Sequence, residues 1–234
     1  MAEIAVRAHP DIDGAYAWRR LAASLALATM GGAGMWAVVV VMPDVQAAFG
    51  VDRADASFPY TMTMVGFAIG NAVIGRLVDR FGYMLPALIC SAGLALGFVL
   101  GGLAPSIWLL ALVQCLLIGL GSAVTFGPLI ADISHWFQRR RGLAVAIAAS
   151  GNYLAGAIWP LVIQFFIADH GWRAVYIGIG VACLVAMIPL ALTLRRRRLD
   201  VAVAAPAQGG MAVQPISVSP TTLQILLIIA GFGC

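Results

Sequence analysis

The chain has 234 residues, 62% of them hydrophobic and only 10% charged, with a net charge of +4 and a mean hydropathy of +0.97. No water-soluble core needs that much apolar side chain, so composition excludes an ordinary soluble domain. The sequence contains no lysine, and its fourteen arginines fall in short clusters between long apolar runs. That pattern excludes a nucleic-acid-binding face and points to loops at a membrane surface.

Residues 1–20 read as a polar cytoplasmic lead. They hold Glu3, Asp11, Asp13 and three arginines with no apolar stretch, so no cleavable signal peptide is evident. Six apolar runs follow, over about 21–42, 59–78, 85–104, 107–131, 142–167 and 173–194. Each is long enough for a helix to cross a hydrocarbon core of about 30 Å. Residues 195–220 open with four arginines and continue through Ala, Pro, Gly, Gln and Ser, the composition of a cytoplasmic linker. A seventh run, 221–234, starts at Thr221 and reaches Cys234 in about 14 residues, too few to span. The expected plan is therefore all-α and polytopic, with a six-helix transmembrane half-domain over 21–194 and the start of a seventh helix. A chain ending inside an element is expected to be a fragment or a truncated product.

Arginine placement sets the expected orientation. Arg7, Arg19, Arg20, Arg76, Arg80, Arg139 to Arg141 and Arg195 to Arg198 share one side, and the other side has Arg53 and Arg173. By the positive-inside rule the N-terminus is cytoplasmic, and the expected location is the plasma (inner) membrane, multi-pass.

Between the second and third runs stands "GRLVDRFGYM", residues 75–84. Gly75 and Gly82 are expected to allow close backbone approach and a sharp reversal. Asp79 and Arg80 would then be held at the membrane boundary; on charge alone, they could equally be a solubilising turn. The spacing Gly75-x-Leu77-x-Asp79-Arg80-x-Gly82 resembles the loop signature of the major facilitator superfamily, in the same place between helices 2 and 3. The resemblance implies that Asp79 and Arg80 belong to a cytoplasmic latch stabilising one access state. Tyr83 and Met84 depart from it, standing where that family usually has basic residues. Asp132, near the cytoplasmic end of the fourth run, is the expected partner of Arg80. A carboxylate there needs a partner or a route to water, and the alternative is that it snorkels to the headgroups.

Three further stretches narrow the resemblance. "DGAYAW" (13–18) is similar to the motif before helix 1 in the monocarboxylate porter branch. "HWFQRRRGLAVAIAASG" (135–151), with Arg140, Arg141 and Gly142, resembles the stretch after helix 4 in that branch and in oxalate/formate antiporters. "HGWRAVY" (170–176) resembles the start of helix 6. The charged turns "GRLVDRFG" and "HWFQRRRG" fall at different places within two three-helix units, which suits a 3+3 inverted repeat.

In superfamily folds helices 1, 2, 4 and 5 line the central cavity. The resemblance therefore makes the polar or amphipathic mid-helix residues Thr29, Met35, Trp36, Asn71, Gln114, Thr125, Asn152, Tyr153 and Gln164 candidates for a substrate path. Their other reading is interhelical hydrogen bonding. Many superfamily members carry an arginine near the place of Gln114, so this half is expected to lack a midplane cation. Gly119, Gly121, Gly151 and Gly156 permit close helix packing, and Pro160 a bend.

There is no GxxxxGK[ST] run for a nucleotide, the three histidines fall in separate loops, and the cysteines have no metal or disulfide spacing. No cofactor, metal or enzymatic constellation is expected. The resemblance implies a secondary porter working by alternating access on monocarboxylates or other small organic anions. Its expected partners are the lipid bilayer, that small-molecule substrate, a coupling proton or counter-substrate, and a missing C-terminal six-helix half; nucleic acid is excluded. The alternatives are a drug or multi-solute exporter of the same superfamily and, from another class, a non-transporting membrane subunit.

Overall fold

A computed structural model describes residues 12–195, and every regular element among them is helical. The expected segments 1–20, 195–220 and 221–234 thus lie largely outside the described residues. Within the lead, however, the chain is already helical from Ala15.

Helices α1 (Ala15–Gly31) and α2 (Ala33–Phe49) form one 35-residue stretch with only Gly32 between them. Helix α3 (Arg53–Phe81) starts where the Asp52 carboxylate accepts the Asp55 N–H at 2.8 Å, a side-chain cap for an otherwise orphan donor. It ends at Gly82, whose φ of 81° only glycine adopts without strain. Helix α4 (Met84–Gly102) follows at once.

The next stretch is irregular. Helix α5 (Ile107–Val113) runs into a π-helical segment, Gln114–Gly119, and a short α6 (Leu120–Ala123). The helix then breaks before α7 (Gly127–Ser134), with Phe126 at φ −121° and ψ −95°. Pro128 accounts for the break, because it has no N–H to offer the Val124 carbonyl one turn earlier.

The last stretch, α8 (Arg141–Thr193), is two helical arms that meet at Gly171, which has φ 73° and ψ 159°. The chain doubles back there. Ala144 and Ala148 pack with Leu21, and Trp159 donates to the Thr29 carbonyl at 2.8 Å. The Trp172 ring then stands 6.0 Å from that of Phe49. Beyond it, Cys183 approaches the Met30 carbonyl at 3.9 Å, and Leu194 lies back beside Arg20.

Among the described residues, five helical stretches are long and apolar enough to cross a membrane: Ala15–Phe49, Arg53–Phe81, Met84–Gly102, Ile107–Ser134 and Arg141–Thr193. Several extend past the expected runs; α3, for one, begins at the Asp52 cap rather than at the first apolar residue.

The core contains Leu27, Val41, Leu94, Phe98, Leu110, Ile118 and Tyr176, while large apolar side chains such as Ile89, Trp108, Phe165 and Val185 face outward. An outer surface this apolar belongs against hydrocarbon. Glycines bring the helices together. A Cβ on Gly66 would strike the Cys115 carbonyl, and one on Gly151 would strike Ala28. Gly66→Ala should therefore lower stability by about 1–3 kcal/mol, the usual cost of overpacking. Gly93, whose added Cβ would meet nothing within 4 Å, is the control. Thermal unfolding in detergent should show a lower midpoint for Gly66→Ala and little change for Gly93→Ala.

Candidate functional site

At the arginine-rich end of the bundle a buried ion pair forms. Ala17, Arg20, Leu21, Ser24, Leu27 and Ala28 make the inward stripe of α1, at the three- and four-residue spacing of one helix face. Arg20 is thus 3% exposed. Its Nε and Nη2 both donate to Asp132 Oδ2, at 2.9 and 2.7 Å. Nη1 donates to the Leu194 carbonyl at 3.1 Å and to the Tyr16 hydroxyl at 3.4 Å. The guanidinium also lies over the Trp136 ring, 4.7 Å from its centroid.

Around the pair, the stretches 13–18 and 135–142 dock on each other. The Asp13 N–H donates to the Trp136 carbonyl at 3.1 Å, and the Asp13 carboxylate accepts from the Gln138 and Arg139 N–H groups at 3.3 and 3.1 Å. Tyr16 meets Trp136 with ring centroids 5.2 Å apart, and Trp18 meets Phe137 at 5.3 Å. The ends of α1, α7 and α8 are joined in one lock of a buried ion pair and stacked rings. Arg140, Arg141 and Gly142 are exposed beside it, with Arg141 Nη2 at 3.3 Å from Ser134 Oγ.

The expected pairing of Asp132 with Arg80 is corrected. Asp132 is 2% exposed and turned toward α1, whereas Arg80 sits at the exposed end of α3 with its guanidinium 5.3 Å from the Phe81 ring. Snorkelling to the headgroups is likewise set aside by that burial. Gly82 makes the expected reversal, but Gly75 makes no close approach: an added Cβ there meets nothing within 4 Å. Asp79 is exposed in the same last turn of α3. Tyr83, at the start of α4, is buried and donates to the Val124 carbonyl at 3.0 Å. Burial, then the charge of Asp132, hold its hydroxyl well above the usual tyrosine range, so it stays a donor at any physiological pH.

The polar mid-helix residues divide into two sets. Gln114 is fully buried, accepting from Thr63 Oγ1 at 3.2 Å and donating to the Tyr176 hydroxyl at 2.9 Å. Thr125 is 5% exposed, bonded to the Ser122 carbonyl at 2.7 Å and wedged against Gly31. These two are internal struts, not walls of an open path, because close packing on neighbouring helices covers them. Thr29 is part-buried and bonds the Leu25 carbonyl at 2.9 Å. Asn71 is also part-buried, donating to the Phe67 carbonyl at 2.9 Å and accepting the Gly127 N–H at 3.3 Å.

The second set keeps unused hydrogen-bonding capacity. The Trp36 ring packs on Gly156, and its indole N–H is buried with no acceptor among the described residues. Asn152 stands one turn before Gly156, next to Gly32. Tyr153 is 76% exposed, and Gln164, eleven residues on and hence on the same face, is exposed too. At the opposite end Arg173 Nη1 holds the Gly102 and Ala104 carbonyls at 3.0 and 2.8 Å, with the guanidinium over Trp172 and Phe49.

Residues 24–234 match the Major Facilitator Superfamily. The chain belongs to the Major Facilitator Superfamily. Among curated members it is 30% identical over 172 residues to Monocarboxylate transporter 12 of Mus musculus, covering 72% of this chain and 35% of that protein. It is 36% identical over 129 residues to the MFS-type transporter pynF of Aspergillus niger (53% and 30% covered). It is 30% identical over 124 residues to the Riboflavin transporter RibJ of Trypanosoma brucei brucei (53% and 22% covered). The chain spans about a third of the length of the first of these superfamily relatives.

Arg20 is the residue that sequence reasoning missed. Read as part of a topology-setting Arg19-Arg20 pair, it carried a further signal: it falls on the apolar stripe of α1, which a purely topological arginine has no reason to occupy. Removing one partner of a buried pair strands the other charge, at a cost of about 3–5 kcal/mol. In this superfamily member Asp132→Ala should therefore lower the unfolding midpoint in detergent markedly. Arg20→Leu combined with Asp132→Leu should recover most of the loss.

Proposed function

We propose that this chain forms the six-crossing N-terminal half of a secondary porter that moves monocarboxylates or other small organic anions by alternating access. In this reading the two arms of α8 each cross the membrane, the six crossings form a 3+3 inverted repeat, and a second six-helix half closes the path. The N-terminus and the arginine-rich end face the cytoplasm of a plasma (inner) membrane, as the positive-inside rule directs. Asp79 and Arg80 bias one access state, and a proton or counter-substrate supplies the driving gradient.

The observation that carries the reading is the Trp36 indole N–H, buried in an apolar helix pair with no acceptor among the described residues. The Trp36 ring packs on Gly156, one turn after Asn152, and Tyr153 and Gln164 are exposed on the same helix. A donor buried there is costly unless something accepts from it, and a carboxylate or carbonyl oxygen of a solute is such an acceptor. Likeness to proteins named monocarboxylate transporters, over 72% of the chain, supports the anion class.

A second reading is export of neutral amphipathic solutes. It is favoured by Gln114, a neutral amide used internally, standing where a midplane cation would bind an anion, and by relatives whose names are not those of anion carriers.

The test is uptake of radiolabelled lactate by proteoliposomes holding the gene product. Trp36→Phe, which keeps the ring and removes the N–H, should raise KM about tenfold, the effect of one lost charge-assisted hydrogen bond. Asp79→Asn should lower the rate while insertion stays intact. Lactate uptake indifferent to both substitutions would overturn the site assignment, and riboflavin moving in place of lactate would select the second reading.

A further inference from the structure

Two helical stretches of this chain are interrupted, and the interruptions meet. The first lies at Gly32, between α1 and α2. The second lies at 124–126, between α6 and α7, where Pro128 deprives the Val124 carbonyl of its helical donor. Gly31 is in contact with Thr125, so an added methyl on Gly31 would strike that side chain. Both breaks therefore sit at one depth, back to back.

The backbone groups at these breaks are satisfied from other helices. Trp159 Nε1 donates to the Thr29 carbonyl at 2.8 Å. The Tyr83 hydroxyl donates to the Val124 carbonyl at 3.0 Å, and Asn71 accepts the Gly127 N–H at 3.3 Å. A side-chain donor on a freed carbonyl is what allows a membrane helix to be broken at all. Beyond the breaks, on the arginine-rich side, 15–31 and 127–134 are bound to each other through Arg20, Asp132 and the docked stretch around Trp136.

We propose that Tyr83 is a positioning residue that sets the joint angle of these two breaks, so that segments 15–31 and 127–134 move as one unit hinged at Gly32 and 124–126. Two tied segments with adjacent hinges can turn together without opening the buried ion pair, whereas either alone would tear it; what the turn exchanges is their contact with α8, at the Leu194 and Thr193 carbonyls. Tyr83 is four residues after Asp79, between α3 and α4. The hinge is thereby wired to that loop through one hydroxyl. The use of such a motion rests on the alternating-access reading; the hinge itself does not, and its test needs no substrate.

Tyr83→Phe removes the hydroxyl and keeps the ring. Hydrogen–deuterium exchange of the whole chain in nanodiscs should speed up about fivefold over 124–130, the effect of one lost hydrogen bond. Pro128→Ala gives the Val124 carbonyl a helical donor again, so the double variant Tyr83→Phe with Pro128→Ala should return to the wild-type rate. A merely structural Tyr83 would not be rescued by a new donor at position 128. Spin labels, placed in a chain with its own cysteines replaced by alanine, report the motion. The Arg19→Cys/Gln138→Cys distance should stay narrow in Tyr83→Phe, while Arg19→Cys/Arg76→Cys gains a second population. Unchanged exchange over 124–130, or no rescue by Pro128→Ala, would overturn the role of Tyr83. Equal broadening of both distances would overturn the single unit. If Tyr83→Phe does not fold, Pro128→Ala alone decides: it should narrow the Arg19–Arg76 distance, and an unaltered distance sinks the hinge.

Discussion

A backbone carbonyl released inside hydrocarbon has no water to bond, and leaving it bare costs several kcal/mol, on the order of a whole hydrogen bond in an apolar medium. Much of this bundle's design answers that single constraint. Side chains reach across helices to the carbonyls of Thr29, Val124, Gly102, Ala104 and Leu194, the donors being Trp159, Tyr83, Arg173 for the middle pair, and Arg20. The donors are sorted by depth. Arginine serves at the two ends, where its charge is near the headgroups, while neutral indole and phenol groups serve the breaks within the spans. A cation in the middle would cost more than the carbonyl it satisfied.

Much of this was legible in the sequence. The apolar runs and arginine clusters mark where the chain crosses and turns, because hydrocarbon thickness and charge placement act on the sequence directly. Gly82 was readable as a reversal for a similar reason: a positive φ needs glycine whatever surrounds it. Partners were much less so. Asp132 has two arginine-bearing neighbours in the sequence pattern, and only helix rotation decides that Arg20 faces it and Arg80 does not. Gln114 illustrates the same limit. A polar residue in an apolar run must bond something, but whether Thr63 and Tyr176 reach it, or a solute does, depends on packing three helices together. Gly75 shows the opposite failure, a motif glycine read as a close contact that faces open space.

Irregularity is concentrated where the proposed mechanism needs movement. Helices α4 and α8 run regularly apart from the turn at Gly171, whereas α1–α2 and α5–α7, corresponding members of the two proposed three-helix units, carry the breaks and the π-helical segment. In each proposed unit an interrupted stretch is thus followed by two regular ones. Regions with freed backbone groups open at lower free energy than unbroken helices, so conformational change is drawn to them.

The inner lock then has a defined and limited part. A contact present in both access states shifts no equilibrium between them, however strong it is, because only a difference in free energy between states has that effect. The Arg20–Asp132 pair is buried and ties the ends of α1 and α7, so in the proposed mechanism it holds these two ends together in both states. In the proposed mechanism, bias between states has to arise from groups presented outward, and Asp79 and Arg80 are exposed in the last turn of α3. The two sets of charges would then have separate tasks in that mechanism: the buried pair makes the end stiff enough to be moved as a body, and the exposed pair is the handle by which it is held.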